Sequence, residues 1–146
     1  RKKIKSSTTE KGFSAILLDI NDFKYINDTY GHNIGDQALE TAAKLLKSCL
    51  RANDFIARFG GDEFCIILDI SDKDDLEATV CRIDSRIEDY NKNESHLYSI
   101  GFSMGYAVYD EKLHLGAEDF LKYIDTLMYQ QKQKKTSPSD NTIFIV

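Results

Sequence analysis

The chain has 146 residues, 42% of them hydrophobic and 29% charged, with a net charge of −5. That length fits a single domain with room for a buried core, and the composition is that of an ordinary globular protein. The negative balance argues against nucleic acid as the main partner, and no apolar run approaches the roughly 18 residues of a membrane span.

The opening RKKIKSSTTEKG reads as the tail of something longer, and no secretory signal is present. FSAILLDI, Phe13 to Ile20, is almost continuously apolar and predicts a central strand buried on both faces. It carries an acid, Asp19, where the strand should still be covered. NDFKYINDTYGHNIGD follows as a short helix and a glycine-bounded loop. Leu39, Ala42, Ala43, Leu46 and Leu50 then recur at helical spacing, and Lys44, Lys47 and Arg51 lie where cations suit the helix dipole.

DFIARF and EFCIILDI flank Gly60-Gly61 and predict a β-hairpin. Ser71 and Asp74 form a candidate capping pair for a helix whose stripe is Leu76, Val80, Ile83, Ile87 and Tyr90. Tyr98 to Val108 alternates bulky residues with Ser99, Gly101, Ser103, Gly105 and Ala107. The small face should let a neighbouring element approach closely. Phe120, Leu121, Ile124, Leu127 and Met128 mark a third amphipathic helix, KQKKTSPSDN a polar turn, and TIFIV a closing strand. The order β-α-α-β-β-α-β-α-β predicts an α+β fold with a mixed, mainly antiparallel sheet and helices packed on it. Cys49, Cys65 and Cys81 have no metal or disulfide spacing and are expected as buried thiols in a reducing cytosol.

Three acids stand out. Asp19 ends the central strand, while Asp62 and Glu63 sit at the hairpin tip. If the hairpin pairs beside the first strand, all three converge, and clustered carboxylates raise one another's pKa unless a cation neutralises them. Mg²⁺ favours a few carboxylates with phosphate oxygens, and glycines at 60 and 61 would let a ligand approach the backbone. An exposed turn with solvated acids accounts for the same residues about equally well, since turns favour Gly and Asp.

RFGGDEF, with LLDINDFKYINDTYGHNIGD upstream, resembles the GGDEF family, the diguanylate cyclases. The likeness extends over RAND, GFSMGYAV and IDTLMYQQK, most of the chain, in the family's order. It implies the palm-like, ferredoxin-like fold of nucleotide cyclases and the condensation of two GTP into cyclic di-GMP, with Mg²⁺ or Mn²⁺ as cofactor. By this resemblance Asp19, the Ile20 carbonyl, Asp62 and Glu63 are metal ligands, and Asp62 and Glu63 assist deprotonation of the ribose 3′-OH. Asn27 and Asp36 match the guanine-binding pair, and an acid facing guanine's N1–H and amino group favours GTP over ATP. Backbone N–H groups near Phe23 and Lys24 match the phosphate cradle, Lys24 adds a cation, and Lys132 matches a phosphate-binding lysine. Taken alone, Asp36 also reads as a helix N-cap and Lys24 as a solvated surface lysine.

Arg51 and Asp54 form the R-x-x-D of the family's product-binding inhibitory site, with Arg82 as a second arginine. On residue type alone, Arg51 and Asp54 are an ordinary helix-end arginine and loop acid. The sequence departs from the family pattern in three places. Thr136 stands where the family has an arginine, and Lys134 or Lys135 would give a point charge in place of a bidentate fork, so weaker triphosphate binding is expected. The second acid of the family's D-x-D stretch is Asn21. No D-x-L-T-G-L-x-N-R-like stretch precedes Phe13, so residues 1–146 are expected to be one GGDEF-type domain lacking its N-terminal part. The implied partners are GTP, cyclic di-GMP as product and inhibitor, a second copy during turnover, and an upstream sensory or dimerisation domain. The expected location is the cytoplasm, with membrane tethering of a longer protein left open. The rival is a non-catalytic module that binds GTP or cyclic di-GMP; a cyclase of altered base choice is disfavoured by Asp36.

Overall fold

A computed structural model describes residues 12–93, 96–110 and 116–135. Within them the strands are β1 (Ser14–Ile20), β2 (Phe55–Phe59), β3 (Glu63–Leu68) and β4 (Phe102–Val108). The helices are α1 (Phe23–Tyr30), α2 (His32–Lys47), α3 (Lys73–Lys92) and α4 (Ala117–Lys135). The four strands form one sheet in the order β2-β3-β1-β4, and every pair is antiparallel. This is the α+β, palm-like arrangement expected from the sequence. The closing strand expected from TIFIV lies outside the described residues.

Strand β1 is central and buried at every residue, which is why its sequence is nearly continuous in apolar side chains. Its two faces feed two cores. Ile16, Leu18 and Ile20 join Phe64, Ile66 and Leu68 against Ala42 and Leu46 of α2 and Leu76, Val80, Ile83 and Ile87 of α3. Ala15 and Leu17 join Cys65 on the other face, against Phe120, Ile124 and Met128 of α4. Helix α4 lies very close to the sheet at Gly105, where a Cβ would stand 2.5 Å from the Ile124 carbonyl oxygen. The small face of β4 therefore does what its alternation implied.

The helix starts shift from their sequence expectations. Helix α2 begins at His32, so HNIGD is helical rather than loop, with Gly31 (φ 94°) as the break between α1 and α2. Helix α3 is capped by Asp72, whose carboxylate accepts the Asp75 N–H at 3.0 Å; the Ser71/Asp74 pair does not form the cap. Strand β4 starts at Phe102 because β1 ends opposite it at Ile20. Ahead of it, the Asn91 carboxamide bonds both the N–H and the carbonyl of Ile100, each at 2.8 Å, taking the place of a strand neighbour. Helix α4 runs on to Lys135, into the stretch expected to turn. Cys49 and Cys65 are buried as expected, but Cys81 is exposed. It follows Val80 directly and so falls off the apolar stripe of α3.

Candidate active site

The end of β1 is a junction of three elements. Asp19 stands in register with Glu63 of β3 on one side and Ser103 of β4 on the other. The Ile20 N–H donates to the Asp62 carbonyl at 3.0 Å, which extends the pairing into the hairpin turn. On the β4 side, the Asn21 N–H donates to Gly101 at 2.8 Å, and the Ser103 hydroxyl donates to the Asn21 carboxamide at 2.7 Å. Asn21 thus pins the strand end, a role an aspartate would share through the same oxygen.

Asp19 is only 6% exposed, and Asp62 is half-buried beside it. Burial, together with the hydrogen bond and charge of Asp19, pushes the Asp62 carboxyl up to about 6, and the charge of Glu63 acts in the same direction. Glu63 itself is exposed. Among the described residues, no three His, Cys, Asp or Glu side chains form a metal-holding group by themselves. The structure therefore brings together Asp19 and Asp62, with Glu63 at the rim. Two carboxylates beside a backbone carbonyl still suit a hard cation that takes its remaining ligands from water and phosphate. Their electrostatic strain is the kind a cation relieves.

The hairpin tip is held by Arg58, whose guanidinium donates to the Gly61 carbonyl at 2.7 Å. Gly60 adopts φ 50°, which favours glycine there. Sequence reasoning passed over Arg58, although its place two residues before the glycines was the available signal.

Past the junction, Asp22 takes the left-handed conformation (φ 57°) and turns the chain straight into α1. Its side chain does not cap that helix, so the first-turn N–H groups, those of Phe23 and Lys24 among them, take no cap from it. The Lys24 side chain is exposed and bonds Asp28 at 2.8 Å, and this partner raises its pKa. Asn27, near the end of α1, lies against Gly35 of α2. Asp36 follows Gly35 inside α2, so it is not an N-cap. It lines a cavity of about 410 Å³ with Leu39, Ala43, Ile56, Arg58 and Phe64, between α2 and the hairpin. Lys132 falls on α4 one turn beyond Met128. That helix starts with Phe120 packed on Phe13 and Tyr109 and passes Gly105, so it runs towards the Asp19 end of the sheet. Thr136 lies outside the described residues.

The Arg51–Asp54 turn sits apart from this junction. Both carboxylate oxygens of Asp54 are engaged, accepting the Arg51 N–H at 2.8 Å and the Asp69 N–H at 3.1 Å. Asp54 therefore shapes the turn, while the Arg51 side chain is exposed. Arg82 is half-buried, donates to the Thr79 hydroxyl at 3.3 Å, and has its carbonyl 3.9 Å from the Cys49 sulfur, beside the same turn. Arg86, which sequence reasoning did not single out, donates to the Ser48 carbonyl at 3.2 Å and to the Ser48 hydroxyl. Its spacing of four from Arg82 on one helix face was the signal.

The profile described as "Diguanylate cyclase, GGDEF domain" matches residues 1–138, and the chain belongs to that family. It is 34% identical over 129 residues to Diguanylate cyclase A of Treponema denticola, covering 88% of this chain and 34% of that protein. It is 41% identical over 123 residues to Signaling protein YkoW of Bacillus subtilis, covering 83% of this chain and 15% of that one. The chain thus spans about a third of the length of the first of these relatives and about a seventh of the second. Among solved structures, the GGDEF domain of PA1120 (YfiN or TpbB) from Pseudomonas aeruginosa superposes with a TM-score of 0.79 at 26% identity, covering 90% of this chain and 84% of that one. A microbial GGDEF domain studied for its interaction with cyclic di-GMP superposes with a TM-score of 0.74 at 28% identity, covering 91% and 79%.

Proposed function

We propose that this domain is a diguanylate cyclase that joins two GTP molecules into cyclic di-GMP and releases two pyrophosphates. The observation that carries the reading is the contact of Asp62 with buried Asp19 at the end of β1, with Asp62 pushed up to about 6. Such a pair is costly in a structural turn and useful where a metal and a proton acceptor are needed.

The roles follow from position. Asp19, Asp62 and the Ile20 carbonyl would hold Mg²⁺ or Mn²⁺, with Glu63 at the rim. A bound ion of this kind supplies the positive charge that offsets the carboxylates and the reacting α-phosphate. The first-turn N–H groups at Phe23 and Lys24 receive phosphate oxygens, and Lys24 and Lys132 add charge. Asp36 accepts from guanine N1–H and the amino group, beside Asn27. Asp62 takes the proton as the ribose 3′-OH attacks the α-phosphate in line and pyrophosphate leaves. Ring closure needs the same attack from a second GTP, so two domains face each other in turnover. Arg51 and Arg82, beside a turn shaped by Asp54, form the product-binding site; the interaction of a related domain with cyclic di-GMP supports binding of that nucleotide by a domain of this fold.

A second reading, a non-catalytic module that binds GTP or cyclic di-GMP, is favoured by Thr136 in place of an arginine. The test is direct. The domain is incubated at high concentration with GTP and Mg²⁺ or Mn²⁺, and the nucleotides are separated by chromatography. A cyclic di-GMP peak establishes the cyclase. Nucleotide binding with no peak, in this chain and in one extended upstream, gives the module instead.

A further inference from the structure

Gly35 lies within α2, a position where glycine is the poorest helix former after proline. Its φ is not in the left-handed region, where among the described glycines only Gly31 and Gly60 fall. Backbone conformation therefore gives no reason for glycine at 35. The steric surroundings do. A Cβ at this position would stand 1.7 Å from Asn27 Oδ1 and 2.8 Å from Asn27 Cγ. Gly35 is buried, its N–H bonds the Gly31 carbonyl at 3.0 Å, and the Gly31 N–H bonds the Asn27 carbonyl at 2.8 Å. These are the ordinary main-chain bonds that end α1 and open α2, and the Asn27 carboxamide points its Oδ1 into the space that a side chain at 35 would fill.

We infer that Gly35 is a positioning residue for guanine recognition: it seats the Asn27 carboxamide against α2, directly before Asp36 in the chain. The inference rests on the reading of Asn27 and Asp36 as the guanine pair. Only the end of a rotatable side chain collides with the added Cβ. Alanine at 35 is therefore accommodated by swinging Asn27 out, with the helix itself left intact. Gly35→Ala should fold as well as the parent and bind the nucleotide as though Asn27 were missing.

The test uses the α,β-methylene analogue of GTP with Mg²⁺, which binds without turnover, measured by calorimetry on the parent, Gly35→Ala, Asn27→Ala and the double variant. The expected result is about tenfold weaker binding in each single variant, as for the loss of one or two hydrogen bonds. The double variant should be no weaker than Asn27→Ala, because both changes remove one interaction. A crystal structure of Gly35→Ala should show Asn27 in a different rotamer. Unchanged Asn27 geometry, or losses that add in the double variant, overturns the inference. Should Gly35→Ala alone fail to fold, the double variant should fold, since the colliding atoms are gone; failure of both also overturns it. A parent that binds no analogue defeats the cyclase reading instead, and the Asn27 rotamer still decides the positioning role.

Discussion

Asp62 and Asp19 meet through their side chains where the Ile20 N–H and the Asp62 carbonyl meet through the main chain at 3.0 Å. Frame and chemistry are thus separate at this point. Asp62→Asn is predicted to keep the 3.0 Å bond and the fold while lowering turnover by about 10² or more, the scale of a lost proton acceptor. The check is the rate of cyclic di-GMP formation beside a thermal melt. A variant that turns over normally would remove Asp62 from the mechanism.

The same contact makes stability depend on pH. The Asp62 carboxyl moves from 3.8 to about 6 on folding, so between those values the native state holds a proton that the unfolded chain has released. Its contribution to stability is therefore full below pH 4 and is lost as the pH rises through 6. In EDTA, the Tm of the parent should fall relative to that of Asp62→Asn across pH 4 to 7. A constant difference over that range would mean that neither burial nor Asp19 raises the Asp62 carboxyl.

Asp54 and Arg51 should separate cleanly. Asp54→Ala leaves two N–H groups without their carboxylate and is predicted to cost about 1–2 kcal/mol. Arg51→Ala, with an exposed side chain, should leave stability within about 0.5 kcal/mol and relieve product inhibition. Urea titrations and inhibition constants measure both. An Arg51 variant inhibited as strongly as the parent would dismiss the second site.

At Gly105 an added methyl meets main-chain atoms of α4, the Ile124 oxygen at 2.5 Å and the Met128 nitrogen at 2.7 Å. Backbone cannot rotate away as a side chain does. Gly105→Ala is predicted to destabilise by about 1–3 kcal/mol, read from the shift of a denaturant midpoint. A neutral result would mean that α4 is not seated on β4 as described.

The thiols give an inexpensive check of the packing. Burial pushes the Cys65 thiol up to about 11, so at pH 8 it stays neutral as well as covered. Alkylation of the native protein at pH 8 should modify Cys81 and spare Cys49 and Cys65. Peptide mapping reads the outcome, and early labelling of Cys65 would contradict the fold.

Where apolar period and turn chemistry agreed, the sequence could be read directly: β1, the glycine hairpin and the stripes of α3 and α4 all follow local rules. The errors came where a distant partner decided. Gly35 looks like a helix breaker until Asn27 is seen lying in its missing side chain's place. Tyr98 to Gly101 alternates like strand, but β1 has ended and Asn91 takes the bonds. The structural part of Asp54 was also out of sight: its oxygens accept two backbone N–H groups, one from the far end of the hairpin. The meeting of Asp19 and Asp62 was expected on the condition that the hairpin pairs beside β1, and that pairing is present.

The main-chain bond from Ile20 to Asp62 has an evolutionary corollary. A junction stitched by peptide groups tolerates exchange of the side chains that decorate it. A lineage could silence the reaction by altering one carboxylate and retain a sound nucleotide receptor, with no redesign of the scaffold. Activity and recognition would then be inherited separately, each open to its own selection.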